Sequence, residues 1–348
     1  MEHPSMHNNN VISIDLAKNV FQVCLFTENR KMASNRKVTR PKLLDYVLTL
    51  DSKHIVMEAC YSSNYWGRLF QKHGFKVGLI PPHQVKPFVV GNKNDHNDAL
   101  AIAEASMRPK ATFVEVKSLE KQDIQSLDRI RDRLIKNRTA LGNQIRGLLA
   151  EYGIALPVTL IQLRKSIPSV LEDAENDLTT ISREFISDMY LELLSVDEKI
   201  LVIEKKAEAI LNTDENYHRL QTIPGFGPTI SRTLLCVLND PKQFKNGRQL
   251  SAWAGITPKQ HASGDQSRMG GITKRGNQTL RRQLIHGARA VVRHCEGKDD
   301  PLNIWIQKLL KTKQSNKVAV AVANKMLRMA WSVMMKEENY NSKCLMPT

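Results

Sequence analysis

Four carboxylic acids lie in the N-terminal third of the chain at positions where they could bind metal ions. Asp15 closes an apolar segment, VISID, and Glu58 stands at the end of another, HIVMEA. Asp95 and Asp98 are three residues apart at the start of a segment of helical character, which places both carboxylates on one helical face. Four converging acids repel one another unless divalent cations neutralise them, and oxygen-only ligands suit Mg²⁺ or Mn²⁺. Two such ions can hold a phosphodiester and activate the oxygen that attacks it.

Each of these acids also has an ordinary structural explanation. Asp15 could cap the turn that begins at Leu16, and Asp95 could be the N-cap of its helix. Glu58 could lie on the surface of a strand, although its apolar neighbours, such as Met57, favour an interior position. The metal-site prediction therefore depends on the four acids together and on the order of the strands that carry them.

A serine within a basic, glycine-containing segment is the second candidate for chemistry. In the segment 257–276, a hydroxyl at Ser263 surrounded by positive charge could attack a phosphodiester, although a serine in such a loop is more commonly only solvated. Glycines there allow the backbone to approach a ligand closely. Between Thr257 and His294 a single acid, Asp265, accompanies eight basic residues: Lys259, Arg268, Lys274, Arg275, Arg281, Arg282, Arg289 and Arg293.

The overall charge indicates a nucleic-acid partner. The 348 residues contain 51 Lys and Arg against 35 Asp and Glu, a net charge of +16, and neutralising phosphates would release counterions. A protein that is merely basic is the alternative. Five dispersed cysteines without a C-x-x-C pair argue against a disulfide framework and a zinc ribbon. The N-terminus lacks the pattern of a secretory signal, and no apolar run approaches membrane-spanning length, so we expect a cytoplasmic protein.

The elements that must position the four acids form an α/β pattern over residues 10–115. Strands are predicted at 11–15 and 20–26, with a third after the polar turn 27–31, and further strands at 54–59 and 76–80. Helical spacing is present between these last strands and at 95–105. The order βββαβαβα predicts a mixed sheet covered by helices, as in RNase H-like domains.

Residues 116–211 have a different character, typical of long charged helices. Leu193, Val196, Ile200, Ile203, Ala207 and Ile210 step by 3, 4, 3, 4 and 3 residues, an a/d seam that predicts a coiled-coil arm. An ordinary helical bundle is the alternative. Arg129, Arg131 and Arg133 on this arm could grip RNA or could form the solvated face of a helix.

Residues 212–336 are predicted to form a mainly α-helical third domain. It opens with Ile-Pro-Gly-Phe-Gly-Pro at 223–228, which resembles the turn of a helix-hairpin-helix, in which backbone N–H groups contact a phosphate. A plain connection between two helices is nearly as good an explanation. The basic segment with Ser263 and a set of closing helices follow.

Several of these segments together resemble the insertion-sequence-110 family of transposases, with which the Piv DNA invertase is grouped. The first part of the resemblance is a DEDD tetrad, read in IDLAK, MEA and KNDHNDA around Asp15, Glu58, Asp95 and Asp98. The second is the signature of a C-terminal transposase domain, read in WAGITP at 253–258, ASG at 262–264 and GITKRGN at 271–277. Order and spacing agree from about residue 10 to 335.

The resemblance implies a RuvC-like N-terminal domain and a recombinase that cuts and joins DNA through a serine beside Mg²⁺. Ser263 matches the nucleophile by position, but the family often has two adjacent serines where this chain has Ala262-Ser263, and Ser267 stays a second candidate. Arg268, Lys274 and Arg275 would stabilise charge on the phosphoryl oxygens, with Arg281 and Arg282 as further nucleic-acid contacts. Homodimers that pair into tetramers, and a bridge RNA that base-pairs with donor and target DNA, are also implied.

Two other functions compete with this one. A metal-dependent RuvC-like nuclease or junction resolvase would use water as its nucleophile, and Ser263 would only contact phosphate. A coiled-coil nucleic-acid-binding protein without enzymatic activity would use the acids structurally. Because Ser263 and the tetrad are far apart in sequence, the serine mechanism requires a composite active site, drawn from one chain or from two.

Overall fold

A computed structural model describes residues 10–91, 94–109, 111–238, 240–263 and 266–342. At 261–263, 266 and 267 only the backbone is described. The chain divides at Leu119 into two compact units, and the residues predicted as a separate arm and a third domain both lie in the second unit. The finer division at residues 211 and 212 stays a prediction.

The first unit is built on a five-stranded mixed sheet with the order β3-β2-β1-β4-β5. The first three strands form an antiparallel meander, whereas β1, β4 and β5 are parallel. This is the predicted strand order of an RNase H-like domain. Its elements are β1 Val11–Asp15, β2 Val20–Phe26, β3 Met32–Thr39, α1 Leu43–Leu48, β4 His54–Glu58, α2 Ser63–Lys72, β5 Lys76–Ile80, α3 Pro82–Val85 and α4 Asp95–Ser106.

The alternation of β1 explains how this sheet is covered on both faces. Ile12 and Ile14 are fully buried in the layer that contains α1 and α2. Val11 belongs to the opposite layer, which contains α4, and Ser13 also points to that side because successive side chains alternate. Both faces of β1 are therefore buried, as expected for the central strand of a sheet that is covered by helices on both sides.

The second unit contains three helices of the predicted arm and a helical C-terminal region with one hairpin. The arm helices are α5 Leu119–Ala150, α6 Leu160–Glu172 and α7 Thr180–Leu211. The remaining elements are α8 Glu215–Gln221, α9 Pro228–Val237, α10 Gly247–Trp253, β6 Pro258–Ser263, β7 Gln266–Ile272, α11 Gln278–Arg293, α12 Pro301–Leu310 and α13 Ser315–Lys336.

The long helices α5 and α7 pack along part of the predicted seam. Leu134 of α5 shares a buried cluster with Val196 and Ile200 of α7. Ile210, which periodicity also placed on the seam, is 40% exposed. The helices α5 and α7 therefore pack directly on each other over part of their length. In the neighbouring part, α6 packs against both of them, so a continuous coiled coil stays unconfirmed.

The helix α13 is the centre of the C-terminal region. Val318, Val322 and Met326 are fully buried in its core cluster. Among the described residues it is the one helix whose length and apolarity would allow it to cross a membrane, but 56% of that window is buried inside the protein. Burial in a soluble-type core accounts for its composition.

The turn at 223–228 connects α8 to α9, as both interpretations of this segment require. Gly225 has a φ of +83°, and a Cβ atom there would lie 2.7 Å from Val291 of α11. In turn, a Cβ at Gly287 of α11 would lie 2.3 Å from the carbonyl oxygen of Gly225. A glycine at 225 therefore allows the turn to pack closely against α11. Gly227, the N-cap of α9, has no atom within 4 Å of an added Cβ and stays open to a ligand.

Candidate active site

Asp15 and Glu58 are brought together by the pairing of two parallel strands. Ile14 of β1 is in register with Met57 of β4, so the acids that follow them occupy adjacent positions on the same face of the sheet. Neighbouring strands are about 4.8 Å apart. Both acids are partly buried. Glu58 thus lies at the end of a buried strand but is itself neither fully buried nor exposed.

The helix α4 brings the other two acids to the same face. Its N-cap is Asn94, whose Oδ1 accepts a hydrogen bond of 2.8 Å from the backbone N–H of Asn97. Asp95 and Asp98 consequently lie in the first helical turn, and the alternative that Asp95 is the cap is wrong. Asp95 is exposed, and its carboxylate is 3.8 Å from the Nζ of Lys37.

Two hydrogen bonds fix α4 on the sheet. The buried Ser13 hydroxyl donates to the carbonyl oxygen of Ala99 at 2.6 Å. Asn35 of β3 donates from Nδ2 to the carbonyl oxygen of His96 at 3.1 Å, and its Oδ1 accepts from Nε2 of Gln22 at 2.5 Å. Gln22 lies opposite Asp15 in the β1–β2 register. The chain Gln22–Asn35–His96 therefore links the strand beside Asp15 to the turn that carries Asp95.

The electrostatics of Asp15 show that the four acids share one environment. The pKa of Asp15 is raised from 3.8 to about 6, mainly by burial and then by the negative charges of Asp98, Asp95 and Glu58, in that order. A hydrogen bond from the backbone N–H of Leu16 opposes this shift. The negative charge of the cluster is thus poorly compensated by the protein itself.

These residues fit a hard divalent cation. Within the described part of the chain no three His, Cys, Asp or Glu side chains already stand at metal-ligand distance from one another, as expected for carboxylates that repel when no cation is between them. The donors are all oxygen atoms, which suits Mg²⁺. Gln22, opposite Asp15 on the neighbouring strand, is only 4% exposed, and its Oε1 has no hydrogen-bond donor among the described residues.

The segment that carries Ser263 is a β-hairpin, where an irregular loop was expected. β6 and β7 pair antiparallel, with Ser263 opposite Gln266 and Ala262 opposite Ser267. Gly264 and Asp265, which connect the two strands in sequence, are outside the described residues, as is the Ser263 side chain. The backbone thus places Ser263 at the distal end of a two-stranded ribbon. Glycine-rich composition concealed this pairing because glycine is depleted in strands.

Two glycines lock the base of the hairpin. Gly255 and Gly276 have φ of +73° and +89°. A Cβ at Gly255 would lie 1.7 Å from the carbonyl oxygen of Arg275, and one at Gly276 would lie 2.1 Å from that of Trp253. The backbone N–H of Lys274 donates to the Gly255 carbonyl at 3.1 Å. Only glycine fits this approach, so the ends of α10 and the hairpin are held in direct backbone contact.

The predicted basic contacts fall into two groups. Arg268, Lys274, Arg275, Arg129 and Arg133 are exposed. The others form bonds within the unit: Arg131 bonds to Glu204 at 2.6 Å, Arg282, itself exposed, bonds to Asp132 at 2.6 Å, and Arg281 folds back to the carbonyl oxygens of Ala254 and Arg275 at 3.5 and 3.4 Å.

Sequence reasoning missed the polar residues that support the acids. Gln22 and Asn35 are spaced along β2 and β3 so that both face α4, and Ser13 does the same on β1. A signal for Gln22 and Ser13 was present, because each is a polar residue inside an apolar strand segment. No local pattern indicated Asn35, which depends on a partner 61 residues away.

Family models match both parts of the chain. Residues 12–154 match the DEDD transposase domain of IS110 elements. Residues 217–301 match the model described as Transposase IS116/IS110/IS902 family. The first match includes all four acids, and the second includes the turn at 223–228 and the whole hairpin.

Relatives cover nearly the full chain. The transposase for insertion sequence element IS1111A from Coxiella burnetii is 41% identical over 336 residues, 97% of this chain and 92% of that protein. A probable family 20 transposase from Pseudomonas aeruginosa is 40% identical over 94% of this chain and 98% of its own length. The pilin gene-inverting protein of Moraxella lacunata is 21% identical over 95% of this chain and 98% of its own.

Proposed function

Since the chain belongs to the IS116/IS110/IS902 family of DNA transposases, we propose that it cuts and rejoins DNA through a covalent bond between Ser263 and a DNA phosphate. In this proposal Asp15, Glu58, Asp95 and Asp98 hold Mg²⁺, with Mn²⁺ as a possible replacement. The observation that carries the metal site is the convergence of the acids: Asp15 and Glu58 follow paired positions of two parallel strands, and the first turn of α4 supplies the other two. The raised pKa of Asp15, which burial and the three other acids cause, agrees with this geometry. A cluster so poorly neutralised is suited to binding cations.

The tetrad has a defined part in this reaction. Bound there, a divalent ion would neutralise the carboxylates and polarise a phosphate oxygen. Asp15 and Glu58 supply ligands from the rigid sheet, while the first turn of α4 supplies Asp95 and Asp98. Gln22 and Asn35 hold these two sources in register through the bond to His96.

Ser263 supplies the nucleophile. Its Oγ forms a bond to phosphorus as the bond from phosphorus to the 3′ oxygen breaks; the serine proton is released and the 3′ oxygen takes one up. Rejoining reverses these changes, because a 3′ hydroxyl attacks the phosphoserine and releases the serine. Arg268, Lys274 and Arg275, all exposed on or beside the hairpin, stabilise the charge on the phosphoryl oxygens.

A trapping experiment tests the serine. Wild-type protein, Ser263→Ala and the matched control Ser267→Ala are incubated with Mg²⁺ and DNA that carries the element's end, then separated under denaturing conditions. We expect a protein–DNA adduct from wild type and from Ser267→Ala, and none from Ser263→Ala. Cleavage without any adduct would instead indicate a metal-dependent nuclease that uses water.

We also propose that the protein acts with a structured bridge RNA that pairs with donor and target DNA. The net charge of +16 and the exposed Arg129 and Arg133 of the arm support a large nucleic-acid load. Purification from cells that carry the native flanking DNA, followed by sequencing of bound RNA, tests this. One discrete flanking transcript is expected; a random sample of cellular RNA would contradict the guide.

The active assembly is proposed to be a homodimer that pairs into a tetramer. Mixing Asp15→Ala protein with Ser263→Ala protein tests whether one active site draws on two chains. Recovered activity in the mixture shows that the serine and the tetrad of different chains cooperate. A mixture as inactive as its components shows that each site is completed within one chain.

A further inference from the structure

A large cavity in the second unit lies between α10, the first residue of β6, α13 and the segment that follows α13. Its volume is about 920 Å³, at the upper end of the range for small-molecule sites. Apolar side chains, among them Ile256, Met329 and Val333, form part of its lining, together with Trp305 and Trp331.

The charges around this cavity are strongly one-sided. A single acid, Glu338, accompanies five basic residues in its lining: Arg248, Lys317, Lys325, Arg328 and Lys336. None of these five forms an ion pair with a residue in the described part of the chain. Such an unpaired group favours an anionic ligand.

One face of α13 carries most of this charge. Lys317, Ala321, Lys325, Arg328, Ser332 and Lys336 are spaced by 4, 4, 3, 4 and 4 residues and all line the cavity. The small side chains of Ala321 and Ser332 leave room between the long cations. The core-facing side of the same helix is apolar, so the basic stripe is not required for the fold.

The aromatic side chains give the cavity a second property. The Nζ of Lys325 lies 4.5 Å from the centroid of the Trp305 ring. Burial and the nearby charge of Arg328 lower the pKa of Lys325. A cation held on an indole and crowded by another cation would gain from a nearby phosphate, while apolar walls and indole rings can receive an aromatic base.

We propose that this cavity binds an unpaired nucleotide of a nucleic-acid strand, with its base against Trp305 and its phosphate on the stripe of Lys317, Lys325 and Arg328. An acidic peptide would satisfy the charge but would make no use of the indole rings and the apolar walls. The proposal deepens the proposed function by placing one nucleotide of the bound DNA or RNA outside the active site.

The base is tested by a double comparison. Binding of fluorescein-labelled hexathymidylate and of its abasic counterpart is measured by fluorescence anisotropy with full-length protein. Removing the bases should weaken binding to the wild-type cavity at least about fivefold, and clearly less in Trp305→Leu, because base–aromatic stacking supplies the difference. An equal abasic penalty in both proteins would overturn the base contact. Thermal unfolding of Trp305→Leu establishes that it is folded.

The phosphate contacts are tested with variants that lose equal charge. Lys317→Ala/Arg328→Ala alters two exposed residues of the cavity, and Lys311→Ala/Lys313→Ala alters two exposed residues of the same unit that do not line it. The first pair should lower the salt dependence, the slope of log Kd against log salt, by up to about 0.7, since one phosphate contact on a single strand contributes about 0.7. Equal effects of the two pairs would overturn the site.

Two further measurements distinguish a free nucleotide from one within a strand, and separate this proposal from those on the serine and the metal. All measurements are repeated in Ser263→Ala protein with EDTA, so failure here leaves the serine and metal proposals intact. Displacement of hexathymidylate by micromolar thymidine monophosphate would show that the same pocket takes free nucleotides. Displacement only by longer strands supports a nucleotide held within a chain.

Discussion

The two halves of the proposed chemistry are positioned in opposite ways. The acids sit on a five-stranded sheet with both faces of β1 buried and on a helix that is bonded to that sheet through Ser13 and Asn35. Ser263 lies at the end of a two-stranded hairpin on which the side chains of Arg268 and Met269 are exposed. Isolated two-stranded hairpins are marginally stable. The acid cluster is therefore held by a core, whereas the serine depends on how firmly the base of its hairpin is locked.

This contrast predicts the largest effect at Asp15. Asp15→Asn should reduce strand cleavage by about 10³-fold, because a bound metal contributes several kcal/mol to the transition state. In EDTA at neutral pH the same variant should unfold at a higher temperature than wild type, since the raised pKa of Asp15 means that its charged form destabilises the metal-free fold. Calorimetry and a cleavage assay check both signs; a lower unfolding temperature would contradict the crowded-charge description.

The next largest effect is expected at the base of the hairpin. Gly276→Ala places a Cβ 2.1 Å from the Trp253 carbonyl oxygen and should lower adduct formation by about 10²-fold, as expected for an ångström-scale misplacement. Mn²⁺ binding, measured by calorimetry, should be unchanged, because the acids lie in the other unit. Gly271→Ala is the matched control, since no atom lies within 4 Å of its added Cβ. An equal loss of adduct formation in both variants would show that the close backbone contact at Gly276 does not position the hairpin.

A smaller effect is expected from the bond between β3 and α4. Asn35→Ala removes the donor to His96 and the acceptor for Gln22, and residues that orient ligands typically contribute 10- to 100-fold to metal affinity. We expect about a tenfold weaker Mn²⁺ affinity with little change in hairpin function at saturating metal. Ser34→Ala, one residue away on the other face, should bind Mn²⁺ as wild type does. An Mn²⁺ affinity of Asn35→Ala equal to that of wild type would show that Asn35 does not position the acids.

The smallest effects separate two arginines of the arm. Arg131 is bonded to Glu204, so Arg131→Ala should destabilise the arm by about 0.5 kcal/mol and leave nucleic-acid binding nearly unchanged. Arg129 is exposed, and Arg129→Ala should leave stability unchanged while lowering the salt slope of RNA binding by about 1. Thermal unfolding and filter binding over a salt series distinguish them. The reverse pattern would reassign the two residues.

The fold of the first unit was predictable because its pattern is local. The short apolar runs VISID and VFQVCLF predict β1 and β2 with their observed limits, and HIVMEA extends one residue beyond β4. Because β1 and β4 are parallel neighbours, Asp15 and Glu58 reach the same edge. The hairpin was missed because its strands contain glycine and few β-branched residues, and the extent of the a/d seam was overestimated because periodicity does not show where a partner helix begins or ends.

Residue types alone determined the chemistry available to this chain: four acids, a serine among cations, a large positive charge and the membership of a transposase family. Tertiary structure decided which of these groups are free to act. Arg131 and Arg282 form ion pairs with carboxylates of the same unit. Gly225 and Gly255 are needed where other parts of the chain approach their backbone closely. Gln22 lies opposite Asp15 on the neighbouring strand. The physical reason is the separation along the chain over which each signal acts. Hydrophobic periodicity can be recognised within a few consecutive residues. A hydrogen bond such as that of Ser13 to Ala99 joins positions 86 residues apart and forms only when the chain has folded.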